Sequence, residues 1–214
     1  MSGLFITFEG GEGAGKSTQI KRLALRLNDM SYKTLITNDP GGTPRAKAIR
    51  YAVLSGAAKK FGSEIEAVLF AAARDDNVQN IIKPALLKGK IVLCDRFLDS
   101  SRVYQGVSGE VDQEFLLGME KVVTEGVKPD LTLILDLPPE EGLKRSAPLL
   151  SKKGRDRFES ENIEEQIKRR NGFLEIARSE PDRCIVINAS DSFDKVSDTI
   201  DTVIDTFLMR RERQ

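Results

Sequence analysis

The chain has 214 residues, enough for one large α/β domain with a sizeable core. Its 33 basic and 33 acidic residues cancel, which argues against a nucleic-acid binder working through bulk charge. It contains no histidine, so histidine triads, imidazole bases and histidine-ligated metals are excluded, and any chemistry falls to carboxylates, Lys, Arg, hydroxyls and a bound cation.

In chain order, Leu4–Phe8 (LFITF) reads as a first strand and Ser17–Leu27 as a helix. Between them lies GGEGAGKS, which fits the phosphate-loop pattern G-x-x-x-x-G-K-[ST] with Gly10, Gly15, Lys16 and Ser17 at the fixed positions. A strand, a glycine turn and a helix start gather backbone N–H groups around an anion at the positive end of a helix. Gly10, Gly11, Gly13, Ala14 and Gly15 let the backbone wrap a phosphate closely, with Glu12 and Thr18 in the same stretch. Lys16 reaches the β- and γ-phosphates in this pattern, and the Ser17 hydroxyl binds Mg²⁺.

Lys33–Thr37 reads as a second strand, followed by the turn cluster NDPGGTP at 38–44. Helices are expected over Arg45–Ser55 and Ser63–Leu87. Ile91–Cys94 is a third strand ending at Asp95-Arg96. Helices follow over Ser100–Gln105 and Asp112–Glu125, then a fourth strand over Leu131–Leu137. Glu140–Ser146 is helical, Pro148–Arg157 a basic loop, Ile163–Arg178 a helix, Cys184–Asn188 a fifth strand, and Phe193–Met209 a closing amphipathic helix. Five short apolar strands alternating with helices give an α/β fold: a mostly parallel sheet with helices on both faces. Ligands in such folds sit at the carboxyl ends of the strands, where Asp39, Asp95, Arg96 and Asn188–Ser190 fall. The only cysteines, Cys94 and Cys184, fall in strands expected to be buried, which suits free thiols in a reducing cytoplasm. No run is long enough to span a membrane and the N-terminus lacks a signal-peptide pattern, so a cytoplasmic location is expected.

Phe70 and Arg74 lie four apart on one helix and share a face. A ring beside a guanidinium can stack on a planar base and bond its edge, although a core Phe beside a solvated Arg has the same spacing. Asp95 stands where an acid opposite a phosphate loop holds Mg²⁺, and Arg96 could fork a phosphate; a surface ion pair fits that spacing equally. Lys144, Arg145, Lys152, Lys153, Arg155 and Arg157 make a basic cluster, either a solvated run or a source of catalytic charge.

The stretches FEGGEGAGKS, DPGGT (39–43), LFAAAR (69–74), DRFLDSSRVYQG (95–106), PDLTLILD (129–136) and DRFE (156–159) resemble bacterial thymidylate kinases, in order, over about residues 4–190. The resemblance implies a single P-loop nucleoside monophosphate kinase domain over 1–214, with a lid at about 148–157. It implies ATP and thymidine 5′-monophosphate (dTMP) as substrates, Mg²⁺ as cofactor, a homodimer, and neither nucleic acid nor membrane as partner. Lys16 and Ser17 would hold ATP phosphates and Mg²⁺, with Asp95 supporting the metal. Glu12 would meet the sugar 3′-hydroxyl and Arg96 the acceptor phosphate. Phe70 would stack on thymine, Arg74, Ser101 and Gln105 would read its edge, Tyr104 would crowd the 2′ position, and Arg50 would line the pocket. Arg155 or Arg157 would bring catalytic charge from the lid. The usual R-E-P-G-G-T is here Asn38-Asp39-Pro40-Gly41-Gly42-Thr43, with an Arg missing and a shorter acid, Asp39, which would still line the dTMP side.

Two other readings compete. One is a kinase for another pyrimidine monophosphate, uridylate or cytidylate. The other is a nucleotide-dependent switch, since Asp39–Gly42 fits D-x-x-G; no N-K-x-D guanine-reading motif occurs anywhere in the chain.

Overall fold

The computed structural model describes residues 3–153 and 162–212. Five strands form one sheet in the order β2-β3-β1-β4-β5, comprising β1 (Leu4–Gly10), β2 (Thr34–Asn38), β3 (Ile91–Asp95), β4 (Leu131–Asp136) and β5 (Cys184–Asn188). Every pairing is parallel, so the sheet is wholly rather than mostly parallel. β1 is the central strand, hydrogen-bonded to β3 on one side and β4 on the other.

The two-residue strand period sorts side chains between two helical layers. Leu4, Ile6 and Phe8 of β1 join Ile91, Leu93, Leu131, Leu133 and Leu135 on one face. There they pack on α1 (Lys16–Asp29) and α9 (Phe193–Glu212), through Ile20, Leu23, Ile200 and Ile204. Phe5 faces the other way with Val92 and Cys94, onto Val78, Ile82, Phe97 and Leu98. Ile134 and Cys184 extend that face onto Val103 and Phe173. Cys94 and Cys184 are both buried free thiols.

α2 spans Pro44–Leu54 and α3 spans Ser63–Asn77. Thr43 caps α2 by accepting from Ala46 N at 3.0 Å, with Pro44 in the first turn. The long helix expected over Ser63–Leu87 is not uniform. α3 widens into a π-helical stretch at Val78–Ile82 before α4 (Lys83–Leu87). Similarly, the helix expected over Ser100–Gln105 is α5 (Leu98–Ser101) running into a π-helical stretch at Arg102–Val107. Hydrophobic periodicity marks a helix but does not distinguish 3.6 residues per turn from the wider winding.

α6 spans Gln113–Thr124, α7 Pro139–Lys153 and α8 Ile163–Ser179. The basic loop expected from Pro148 is therefore corrected. The backbone of α7 continues helically through Pro148 to Lys153, seven residues beyond the expected end at Ser146. A proline that removes one intrahelical donor is not by itself a helix end. Arg155 and Arg157 lie outside the described residues.

Phe8 is fully buried between β1 and the α1/α9 layer. Phe8→Ala is expected to cost about 3–5 kcal/mol of unfolding free energy, read from urea denaturation.

Candidate active site

β1 ends where backbone meets backbone. Gly10 has φ +129°, and a Cβ there would lie 2.4 Å from the Leu135 carbonyl oxygen. A Cβ on Gly13 (φ +70°) would lie 2.3 Å from Gly142 O, and one on Gly142 2.3 Å from Glu12 O. The loop is thus seated directly on the start of α7, and only glycine fits these contacts. α1 opens at Lys16 behind Gly15, with no side chain capping its first turn, so the amides there face the loop interior.

Lys16 is buried, and its Nζ donates to Gly10 O at 3.1 Å and Gly11 O at 2.7 Å. Burial pulls its ammonium down to about 8, with Arg96 adding to the effect against Asp95, Glu12 and Glu9. Ser17 Oγ donates to Asp95 Oδ2 at 2.5 Å. Among the described residues, no cluster of three or more His, Cys, Asp or Glu could hold a metal by itself. The Ser17 hydroxyl and Asp95 carboxylate are hard oxygen donors, the kind Mg²⁺ takes when phosphates and water complete its shell.

Two neighbouring cavities meet at Arg96, and Asp95 lines the first of them. Lys16, Ser17 and Thr18 line the first with Gly13, Ala14 and Gly15. The second is lined by all nine residues expected on the acceptor side: Glu12, Asp39, Arg50 and Phe70, then Arg74, Arg96, Ser101, Tyr104 and Gln105. Glu12, Arg50, Arg96 and Ser146 line both cavities, so the two open onto one junction. Arg96 Nη1 donates to Gly10 O at 3.0 Å and Ser100 Oγ at 3.2 Å, and its Nη2 lies 3.6 Å from Glu12 Oε2.

In the second cavity, Arg74 and Asp39 form a buried ion pair at 2.5 Å. Arg74 Nη2 also donates to Ser101 Oγ at 2.8 Å and Phe97 O at 3.2 Å. Burial raises the Asp39 carboxyl above its ordinary value, against the pull of Arg74 and Arg50. The shorter acid at position 39 still reaches Arg74. Asn38 instead closes its own turn, donating to Pro40 O at 2.8 Å.

A family model described as thymidylate kinase matches residues 8–200. The chain belongs to the thymidylate kinase family. It is 52% identical over 198 residues to a thymidylate kinase of Bradyrhizobium sp. strain ORS 278, covering 92% of this chain and 88% of that protein. It is also 52% identical over 195 residues to one of Bradyrhizobium sp. strain BTAi1, covering 91% and 86%. The crystal structure of thymidylate kinase from Ehrlichia chaffeensis superposes with a TM-score of 0.76 at 31% identity, covering 95% of this chain and 99% of that one.

Within this thymidylate kinase fold, several residues at the site carry no motif that sequence reasoning could use. Gln166, Arg169 and Arg170 of α8 line the second cavity. Arg170 forks Asp136 at the end of β4 through Nε at 2.6 Å and Nη2 at 2.8 Å. On α7, Arg145 donates to Ala189 O at 2.8 Å, tying that helix to the loop after β5.

Glu9 is the least anticipated. The strand period turns it towards α5 rather than towards α1, and it is fully buried. Its Oε1 accepts from Phe97 N at 2.8 Å and Ser100 N at 3.2 Å, and its Oε2 from Ser100 Oγ at 2.6 Å. Burial, then Asp99, raise its carboxyl to about 7, against Arg96 and those hydrogen bonds. The one available signal was an acid at an inward register immediately before the loop.

A carboxyl higher in the folded than in the unfolded chain binds more protons when folded. Its stabilising contribution is full below about 4.5 and is lost as pH rises through about 7. Stability against urea is expected to fall over that window, and Glu9→Gln to flatten the fall.

Proposed function

We propose that this protein transfers the γ-phosphoryl group of ATP to dTMP, giving ADP and dTDP. The observation that carries this reading is the junction. A phosphate-loop cavity and an arginine-rich cavity that Phe70 also lines meet at Glu12, Arg50, Arg96 and Ser146. Membership of the thymidylate kinase family, at 52% identity to two named members, supports the choice of acceptor.

On this reading the loop amides from Gly10 to Thr18 and Lys16 bind the ATP phosphates, and Arg96 binds the acceptor phosphate. Glu12, beside Arg96, accepts from the 3′-hydroxyl. Phe70 stacks on thymine, Arg74 with Ser101 and Gln105 reads its edge, and Tyr104 borders the 2′ carbon. Asp39 holds Arg74 in place, and Arg50 adds charge at the junction. Mg²⁺, held through Ser17 and Asp95, would neutralise phosphate charge. The nucleophile is an oxygen of the acceptor phosphate, already anionic near neutral pH, so a chain without histidine lacks nothing the reaction needs. The protein's task is to bring two anions together and balance the charge on the moving phosphoryl group.

We take the whole chain as one catalytic unit, acting in the cytoplasm, with the segment around 148–157 as its lid and Arg155 or Arg157 as the catalytic cation. ADP release with ATP and Mg²⁺ across dTMP, dUMP, UMP, CMP and AMP tests the acceptor. Strong preference for dTMP, with dUMP behind it, is expected. Preference for UMP or CMP would overturn the pocket assignment while keeping the chemistry. Removing the responsible lid arginine is expected to cost about 10³-fold or more in turnover, and intact turnover in both Arg155→Ala and Arg157→Ala would remove the lid from the mechanism.

We also propose a homodimer through the exposed apolar residues Ile65 and Val68 of α3 and Phe115 and Val122 of α6, helices that pack on one another. Light scattering is expected to give twice the 23.7 kDa chain mass, and Val122→Asp to shift it to the monomer. A wild-type monomer at micromolar concentration would exclude this interface.

A further inference from the structure

The acceptor cavity contains a buried cation to which no role has yet been given. Arg169 is 5% exposed, and its guanidinium carbon lies 4.5 Å from the centre of the Tyr104 ring. Arg96 lies over the same ring at 5.1 Å, and Phe173 meets it edge-on at 6.4 Å.

Arg169, Gly172 and Phe173 recur at the i, i+3, i+4 spacing of one helix face. A Cβ on Gly172 would lie 3.2 Å from Val103 Cγ2 and 3.3 Å from Val107 Cγ2. The missing side chain lets α8 come close to the π-helical stretch that carries Tyr104. One turn earlier on that face, Arg169 is thereby delivered onto the ring. The wider winding at Arg102–Val107 leaves Tyr104 only partly buried and at the cavity wall.

The geometry points to Arg169 as a positioning residue for sugar selection. It packs its guanidinium on Tyr104 and holds that ring against Arg96 and Phe173, so that the ring forms a fixed wall beside the 2′ carbon of the acceptor. The inference rests on the dTMP kinase reading and deepens it. With the guanidinium gone the ring is less tightly packed and can turn aside more readily to admit a 2′-hydroxyl, whereas with it in place the ring cannot do so without giving up that contact. Discrimination between deoxyribose and ribose then depends on α8 as well as on Tyr104.

The test compares dTMP with ribothymidine 5′-monophosphate, which differs only by the 2′-hydroxyl. The preference is read as the ratio of kcat/KM values and, independently, as the ratio of Kd values from calorimetry. Arg169→Met keeps the length of the side chain and removes its charge. It is expected to lower the preference for dTMP by about three- to tenfold, the range of a cation–π contact. Arg169→Lys restores a cation over the ring and is expected to recover most of the preference. Tyr104→Ala is expected to lower it at least as far as Arg169→Met, with thermal midpoints confirming that all three variants fold. An Arg169→Met enzyme that loses activity equally on both acceptors would overturn the inference, reducing Arg169 to general positive charge. A preference unchanged in Tyr104→Ala would overturn it too, because Arg169 would then have nothing to act through. Absence of wild-type dTMP turnover would sink the kinase reading itself, while the Kd ratio would still decide the sugar-side inference.

Discussion

The site depends first on a backbone constraint. β1 lies between β3 and β4, so its carboxyl end emerges at the middle of the sheet with neighbours on both sides. The chain must turn there under the Leu135 carbonyl and over the start of α7, with gaps too small for any Cβ at Gly10, Gly13 or Gly142. That close contact sets where α1 begins, and therefore where its amides and Lys16 point. It also makes Gly142, more than 120 residues later in the chain, part of the loop's support.

The second constraint is charge. Lys16, Arg50, Arg74, Arg96, Arg169 and Arg170 line the two joined cavities, and guanidinium or ammonium groups out of water are costly unless matched. The matching acids are placed behind or beside the cations. Asp39 holds Arg74, Asp136 holds Arg170, and Glu12 lies near Arg96. Glu9 secures the start of α5 from beneath. Behind α5, Asp99 is forked by Arg183 at 2.8 and 3.0 Å, and Arg102 pairs with Glu120 at 2.8 Å and Glu180 at 2.7 Å. This network fixes the segment carrying Ser101, Tyr104 and Gln105 from the side away from the cavity.

The extent to which this was legible in the sequence follows the range of the forces involved. Strands declared themselves because β-branched and aromatic runs are local, and the glycine loop did so because its chemistry is local. The residues expected on the acceptor side came from the family resemblance, and one cavity gathers all nine of them. By contrast, the π-helical stretches, the continuation of α7 through Pro148 and the role of α8 are set by tertiary packing. Arg169 and Arg170 carry no local signal, and it is Gly172 that lets their helix come against Val103 and Val107. Glu9 was hidden for a related reason: its inward register hints at burial, but nothing local shows that it caps the neighbouring helix α5.

Asp95 and Arg96 illustrate how the two cavities come to share one strand end. Consecutive residues of an extended strand point to opposite faces, which would separate an acid at one cavity from a cation that reaches both. Arg96 avoids this with a left-handed backbone, φ +68°, a conformation that costs a non-glycine residue about 1–2 kcal/mol. Its N–H is secured by Phe8 O at 2.9 Å, and its side chain by Gly10 O, Ser100 Oγ and the Tyr104 ring. These contacts offset the strain and return the guanidinium to the loop while Asp95 stays on Ser17. The bend at Arg96 is therefore a condition for a junction between the two cavities, and Tyr104, which helps hold that bend, ties the acceptor-side wall to the same cation.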